Sequence, residues 1–414
     1  MVRIFRFLVL LLLALTCRAA DPTFSEVVQR SFASWDANDD GVLSPAEIDS
    51  LVVDPTRTGA DAAGIAALKL VVRGGKVTLP PLTLDFLMKP PPRRAARVDT
   101  DAEDRETRAE PRSASSQDPT AAINQRFSRA LRKIKSVQRD LFLDETPDID
   151  ACRQGPLGDC FFVAAVGAAV DRDPSWVISL FTPEDAGAYS VRFGDGRSVR
   201  ISPLTDAELG LTSTTGDEGL WLAMLEKAYG SLRNEGRKEE DRTESVTDAI
   251  ARGGSIAATI RALTGNTVER TSLRARIERA EASGQSTTHI VEEVRAKLVA
   301  ATRNRRLIGL GSDASDSGKR LPPGVSSNPA YAVLGFEESI DLVHVWNPHG
   351  NTFRPKGEEG MIHGYPTRAG RFDVPLLEFV RIFRTMTIET DTPLETRAEA
   401  LQPKPAVSGS ASVD

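Results

Sequence analysis

The chain has 414 residues, enough for two or three domains, and 40% of them are hydrophobic, so a real buried core is expected. Its 52 basic and 58 acidic residues give a net charge of −6, which provides no case for nucleic-acid binding.

Residues 1–20 have the pattern of a secretory signal peptide. Arg3 and Arg6 precede the apolar run Phe7 to Leu15, and small residues suited to cleavage follow around Cys17. Because the apolar run is too short to span a bilayer, we expect no stable membrane span after cleavage. The prediction is a secreted or cell-envelope protein; a lipoprotein signal ending at Cys17 and a retained N-terminal anchor stay open as alternatives.

The segment 21–89 is typical of a small α-helical EF-hand pair whose first loop binds Ca²⁺. Such a loop needs oxygen ligands at positions 1, 3, 5, 7, 9 and 12 and glycine at position 6, which is Gly41 here. The predicted ligands are Asp36, Asn38, Asp40, the Val42 carbonyl, Ser44 and Glu47. Apolar residues at helical spacing precede the loop and support this interpretation over a solvated acidic turn.

The second loop of the pair is predicted to be degenerate. The stretch Gly75 to Leu79 matches loop positions 6 to 10, and this register puts non-ligating residues at the ligand positions: Leu70, Val72, Gly74 and Pro81. None of them offers a carboxylate, so this loop should not bind metal. We expect a structural role in which Leu43 pairs with Val77 between the two loops.

Residues 90–120 are rich in proline, serine and charge, which predicts a disordered linker. Apolar residues at helical spacing over 121–143 predict a helix that leads into the next domain. The composition of residues 391–414 predicts a disordered tail.

The most specific string in the chain is Gln154-Gly-Pro-Leu-Gly-Asp-Cys160. An apolar run to Val170 follows it and predicts a buried helix that begins at Cys160. A helix N-terminus favours a thiolate, so this position suits a nucleophilic cysteine. The alternative is an inert cysteine in an ordinary core helix.

Three further elements follow from local patterning. Tyr189–Phe193 and Val199–Ile201 flank a glycine-rich turn and predict a β-hairpin. The charged stretch 270–302 has helical spacing and predicts a helical connector. Ala330–Leu334 and Leu342–Trp346 predict paired strands.

Two further strings occur later in the chain: Asn328-Pro-Ala-Tyr-Ala-Val and Asn347-Pro-His-Gly. Together with the Cys160 string they resemble the motifs of calpain-type cysteine proteases, which have Gly-His-Ala-Tyr-Ser-Val and Asn-Pro-Trp-Gly at the latter two places. The resemblance covers the core 121–390. It implies an α+β fold: a papain-like, two-subdomain core with Cys160 in a helical half and Asn347 in a β-rich half, preceded by the EF-hand domain.

The resemblance also implies roles for the site residues. Cys160 corresponds to the nucleophile, Gln154 to the side-chain donor of the oxyanion hole, and Asn347 to the residue that orients the base. Pro329 occupies the position of the catalytic histidine, and a proline ring cannot act as a base. His349 is the only plausible substitute, because His344, three residues before Asn347 on a strand, should point to the opposite face.

Two functions therefore compete. The resemblance implies a calcium-dependent cysteine endopeptidase that acts on protein or peptide substrates, whereas Pro329 favours a calcium-binding pseudoprotease that binds peptides without cleaving them. An error or mutation at Pro329 is a third alternative. A disulfide between Cys152 and Cys160, which an oxidising compartment permits, would also disable the nucleophile. The sequence predicts no oligomeric state.

Overall fold

A computed structural model describes residues 20–74, 79–91, 118–143, 146–251, 253–312, 321–326 and 329–394. The predicted signal peptide up to residue 19, most of the predicted linker, Val77 and the tail beyond residue 394 lie outside these residues. No helix in the described ranges is long and apolar enough to cross a bilayer.

The N-terminal part consists of two helix–loop–helix units. The four helices are α1 Phe24–Trp35, α2 Pro45–Val53, α3 Gly59–Gly74 and α4 Leu84–Leu87. Thr23 and Ser44 cap α1 and α2 through reciprocal capping boxes with Glu26 and Glu47, which satisfies N–H groups that a helix start leaves unpaired.

The predicted register of the second loop is wrong. Helix α3 continues to Gly74, so the residues assigned to the first loop positions are helical. The Leu43 N–H donates to the Leu82 carbonyl at 3.1 Å, and Thr83 caps α4 as Ser44 caps α2. The equivalent of Leu43 is therefore Leu82, five residues later than the predicted Val77. Helix-forming alanine and leucine residues in α3 explain the longer helix. The corrected register still leaves an apolar residue, Phe86, opposite Glu47.

The next part is mostly helical. Its helices are α5 Pro119–Ser136, α6 Cys160–Arg172, α7 Pro174–Ser179, α8 Asp206–Leu211, α9 Trp221–Glu235 and α10 Ile256–Thr264. A three-stranded antiparallel sheet lies beside them: β1 Phe181–Pro183, β2 Tyr189–Arg192 and β3 Ser198–Ile201. The hairpin prediction is confirmed by β2 and β3. Helix α5 ends at Ser136, so the helix predicted over 121–143 is shorter than expected.

The last part is built on a six-stranded antiparallel sheet in the order β4-β9-β5-β6-β7-β8. The strands are β4 Asn266–Ser272, β5 Ile308–Gly311, β6 Ala330–Glu337, β7 Leu342–Trp346, β8 Arg371–Pro375 and β9 Thr385–Pro393. Helices α11 Arg274–Ala282, α12 Thr288–Arg303 and α13 Leu376–Ile382 complete this part. The paired strands predicted near Ala330 and Leu342 are β6 and β7.

Two segment predictions need correction in this region. The stretch 270–302 is not wholly helical, because its first residues complete β4 before α11 and α12 begin. Strand β9 continues to Pro393, which pairs with Asn266, so the first residues of the predicted tail belong to the sheet.

The two faces of the large sheet contribute to different cores, because side chains alternate along a strand. Tyr331 and Val333 pack into a core with α11, α12 and α13, whereas Ala330, Ala332 and Trp346 pack into the helical core. Helix α6 lies directly on this second face: a Cβ added at Gly167 would lie 2.3 Å from Cζ3 of Trp346. The fold is thus a mixed α+β structure in which Cys160 begins the helix that covers the sheet.

The N-terminal helices are packed onto the helical part and share its core. The buried Lys69 of α3 forms ion pairs with Asp49 of α2 and with Asp248, and Arg73 donates to Asp248 at 3.0 Å. The Thr205 hydroxyl donates to the Val52 carbonyl at 2.6 Å. Polar contacts thus tie α2 and α3 to the part of the chain that carries Cys160.

Candidate active site

Helix α6 holds the predicted nucleophile at its first residue. Cys160 is half-buried, while Phe161 and the residues after it up to Val170 are buried in the helical core. The predicted buried helix that begins at Cys160 is confirmed. The partial positive charge of the helix N-terminus therefore lies at the Cys160 sulfur.

The Gln154 side chain lies against the same helix start. One end of its amide is 3.1 Å from the Cys160 nitrogen and 3.3 Å from the Asp159 nitrogen. With its oxygen at that end, the amide accepts both N–H groups. With Nε2 there, Gln154 and the Cys160 N–H form two adjacent donors, which is the arrangement that a developing oxyanion requires. A bound carbonyl oxygen would supply the acceptor that the second orientation needs.

A buried acid pair lies behind the helix start. Asp159 and Glu226 are both fully buried and their carboxyl groups face each other; burial raises the pKa of Asp159 to about 6 and raises that of Glu226 further. Glu226 is therefore the more readily protonated of the two acids, and it accepts from the Ser213 N–H at 2.7 Å. Nearby, burial lowers the pKa of Lys133 to about 8, although the Glu226 charge opposes this shift.

Strand β6 brings the predicted base position to the cysteine. The Ala330 N–H bonds to Cys160, and Pro329 lines the same cavity as Cys160. Ser312 Oγ donates to the Pro329 carbonyl at 3.0 Å, which fixes the start of the strand. Burial, together with the Asp159 charge, raises the pKa of the Cys160 thiol despite the Ala330 hydrogen bond. The thiol therefore stays protonated at neutral pH.

The buried Asn347 follows strand β7 and is engaged by His349. Its Oδ1 accepts the His349 backbone N–H at 3.1 Å and lies 3.1 Å from the His349 Nδ1, while its Nδ2 donates to Asn351 at 3.0 Å. Burial of the ring lowers the pKa of His349, although the residue keeps an exposed surface, so the imidazole is neutral at pH 7. His349 is not among the described residues that line the cavity at Cys160.

A backbone hydrogen bond joins two of the segments that carry the predicted site residues. The Gln154 N–H donates to the Pro348 carbonyl at 2.9 Å, which ties the oxyanion segment to the Asn347 loop. His344, in contrast, lies 2.7 Å from Asp373 on the neighbouring strand. Cys152 and Cys160, both in the described part of the chain, form no disulfide with each other. The structure thus brings Cys160, Gln154 and Pro329 to one cleft, with Asn347 directed to His349.

Sequence reasoning missed two parts of this cleft. The cavity at Cys160 has a volume of about 410 Å³, and two arginines, Arg270 and Arg384, belong to its lining. No local pattern marks them, because they belong to separate segments that only the sheet brings together. One member of the acid pair has a signal in the sequence, since Asp159 directly precedes Cys160 in the string from Gln154 to Cys160.

In the predicted calcium loop, the carboxylates accept hydrogen bonds from backbone N–H groups of the same loop. Asp36 Oδ2 accepts the Gly41 N–H at 2.8 Å, and Glu47 accepts the Ser44 N–H at 2.8 Å. Gly41 has a φ of 80°, which glycine at position 6 permits. Among the described residues, no three His, Cys, Asp or Glu side chains are arranged to hold a metal ion. The oxygen donors suit Ca²⁺, but Glu47 would have to turn toward the ion.

A family model described as calpain family cysteine protease matches residues 103–358 of the chain. This match covers more than half of the sequence and includes Gln154, Cys160, Pro329 and Asn347. No curated protein sequence matches the chain.

Proposed function

Because the chain belongs to the calpain family of cysteine proteases, we propose that it binds peptide segments in a papain-like cleft at Cys160 and that its cleavage step is severely impaired. The observation that carries this proposal is Pro329 in the cavity beside Cys160. The nucleophile and the Gln154 donor come from the helical part of the chain. The position of the base comes from the sheet, and it holds a group without a titratable proton.

The chemistry explains why cleavage should suffer more than binding. The thiol must lose its proton before it attacks the peptide carbonyl, and the leaving amine must gain one. The raised pKa of Cys160 opposes the first step, and Pro329 can assist neither. Removing the base of a catalytic triad in a related hydrolase costs about 10⁶-fold in rate. Peptide binding, and oxyanion stabilisation by Gln154, need no base at position 329.

Slow endopeptidase activity with His349 as the base is the second candidate. It is supported by the 3.1 Å contact between His349 Nδ1 and Asn347 Oδ1, since an orienting asparagine is the partner that a catalytic imidazole requires. The neutral imidazole can accept a proton at Nε2. For this role His349 would have to move to the cavity at Cys160.

Casein cleavage with and without Ca²⁺ tests the proposal in four proteins: the unaltered chain, Pro329→His, Pro329→His with Cys160→Ala, and His349→Gln. We expect cleavage only by Pro329→His, and we expect its loss with Cys160→Ala. Cleavage by the unaltered chain that disappears in His349→Gln would contradict the proposal in favour of the second candidate. If Pro329→His is folded but inactive, the assignment of position 329 fails.

We further propose that the loop Asp36–Glu47 is an EF-hand calcium site and that the chain is exported through residues 1–20. Calcium would be held by the oxygen ligands of this loop and would neutralise its carboxylates. Lys69 connects α2 to Asp248, and this contact links the loop to the helical half. N-terminal sequencing of protein recovered outside the cytoplasm tests export: an intact residue 1 would contradict it.

Calorimetric titration with Ca²⁺ tests the loop. Losing even a residue that supports a metal ligand costs about 10–100-fold in affinity, so Glu47→Gln should weaken binding by at least about 100-fold. The matched control is Asp39→Asn in the same loop, because Asp39 is not a predicted ligand and asparagine tolerates its φ of 56°. Equal affinities in the two variants would contradict the site.

A further inference from the structure

The cavity at Cys160 lies on the face of the large sheet that is turned toward α6 and α10. Cys160 and Phe161 form one wall, and the segment Gly253–Ala257 forms another. Small residues of the sheet, among them Gly311, Ala330 and Thr385, leave the space open. Its volume of about 410 Å³ lies within the range of about 300–1,000 Å³ that is usual for ligand pockets.

The sheet register places the two arginines at this cavity. Arg270 of β4 pairs with Thr387 of β9, and directly paired residues share one face of an antiparallel sheet. Thr387 lines the cavity, so Arg270 is on the cavity face. Arg384 directly precedes β9, and its backbone N–H is bonded to the Gly311 carbonyl at 2.8 Å. Both arginine positions are therefore fixed by sheet hydrogen bonds.

The two arginines carry charge without a carboxylate partner. Neither Arg270 nor Arg384 forms an ion pair or a side-chain hydrogen bond with another described residue, and both are exposed. The described residues that line the cavity include these two cations and no aspartate or glutamate. Since the whole chain carries a net charge of −6, this cationic lining departs from the overall charge.

We propose that this cavity is a specificity site that takes an acidic side chain, aspartate or glutamate, of a peptide lying across Cys160. The inference rests on the proposed peptide-binding function and adds its substrate class. A guanidinium binds a carboxylate through two parallel N–H donors, and charge-assisted bonds of this kind are about twice as strong as neutral ones. Two such groups in the cavity that contains Cys160 favour an acidic residue over its neutral amide.

Alkylation of Cys160 tests the charge of the cavity without relying on peptide cleavage. The Cys160 thiolate displaces iodide from either anionic iodoacetate or neutral iodoacetamide, and peptide mapping assigns the label to Cys160. Focusing of an anion by a charged cleft raises association rates by about 10–10³-fold, so the iodoacetate-to-iodoacetamide rate ratio should fall about three- to tenfold in Arg270→Gln and Arg384→Gln. Arg279→Gln, which removes an exposed arginine of α11, is the matched control and should leave the ratio unchanged.

Peptide binding to the full-length chain then tests which side chain the cavity takes. Short fluorescein-labelled peptides that differ only by glutamate, glutamine or lysine at one position are compared by fluorescence anisotropy at low and high sodium chloride. At one position we expect glutamate to bind about tenfold more tightly than glutamine, with a difference that shrinks in high salt and in the Arg270→Gln and Arg384→Gln variants. Arg384→Glu should instead favour lysine.

The outcomes separate this inference from the proposed function. Equal binding of glutamate and glutamine peptides by the unaltered chain overturns the acidic preference and leaves peptide binding intact. An alkylation ratio that is the same in all variants, or equal losses with both reagents, also overturns it. If no peptide binds, the proposed function and the acidic occupant both fail, and the alkylation ratio alone reports whether the cavity attracts anions.

Discussion

The helical wall and the sheet wall of the cleft differ in how well they match the site that the family resemblance implies. The helical wall carries Cys160 at the start of α6 with Gln154 beside it, and a buried acid pair supports this arrangement from behind. The sheet wall has Pro329 at the base position, and its Asn347 is directed to His349. On the proposed assignment, the groups that would hold a peptide carbonyl are in place, whereas the position proposed for the base holds a residue that cannot move a proton.

This difference shows which contacts the fold itself requires. Cys160 and Gln154 are joined to helix starts and backbone bonds that also hold the two walls together, so their positions are tied to folding. Pro329 is buried, its carbonyl accepts from Ser312, and the residue lines the cavity. The backbone bond between Ser312 and residue 329 does not depend on which side chain stands at 329, so a change from histidine to proline leaves this contact in place.

The sharpest test of the comparison is Gln154→Ala in a Pro329→His background. If the helical wall is intact and only the base is missing, the cleavage rate should depend on Gln154 once position 329 is histidine. Loss of one oxyanion donor costs about 10²–10³-fold in kcat. Steady-state cleavage of casein or a peptide reports the value. Gln125→Ala, on the exposed face of α5, is the matched control and should change kcat little. An equal rate with and without Gln154 would mean that the helical wall has decayed too.

The pH dependence of Cys160 alkylation measures how the sheet wall affects the nucleophile. Burial raises the thiol pKa above its ordinary value, so the reactive thiolate is the minor form at neutral pH. The rate with iodoacetamide should rise about tenfold per pH unit, or about 100-fold from pH 7 to pH 9. In Pro329→His, an imidazolium beside the sulfur should lower the thiol pKa and raise the rate at pH 7.

The same cysteine in urea-unfolded chain is the reference, because its pKa is then ordinary. A native rate that is already constant between pH 5 and pH 8 would contradict this account, since it would mean that a base, such as His349, is paired with Cys160 in the unaltered chain.

Local patterns predicted the parts of the site that depend on neighbouring residues. The apolar run after Cys160 predicts α6 because a helix is determined by contacts within a few residues, and the glycine turn after Phe193 predicts the β2–β3 hairpin for the same reason. The predicted register of the second N-terminal loop is wrong because the helix-forming composition of α3 extends the helix over the residues that a short glycine and β-branched pattern assigns to the loop.

The parts that could not be predicted depend on pairing between distant segments. Strand β4 is charged and follows a helix, and only its ladder with β9 makes it a strand. That ladder also brings Arg270 to the cavity that contains Arg384. The sequence places His349 only two residues from Asn347 in a turn and does not predict their side-chain contact, since side-chain direction in a loop is set by the surrounding packing.

The smallest predicted effect is a change in stability at the contact between the two walls. Gly167 of α6 faces Trp346 of β7, and a Cβ at residue 167 would lie 2.3 Å from the indole ring. Overpacking of this kind costs about 1–3 kcal/mol, which outweighs the gain of about 1 kcal/mol from alanine in a helix. Gly167→Ala should therefore lower the free energy of unfolding in urea, measured by tryptophan fluorescence or circular dichroism.

Gly74→Ala is the matched control, because no atom of the described residues lies within 4 Å of a Cβ added at Gly74, and it should be neutral or slightly stabilising. Trp346→Phe removes part of the ring, so the double variant Gly167→Ala/Trp346→Phe should lose less than the sum of the single changes. Strict additivity would mean that α6 and β7 are not in contact through these residues. Because Cys160 starts α6 and Asn347 follows β7, the distance between the two walls of the cleft would then be set elsewhere in the chain.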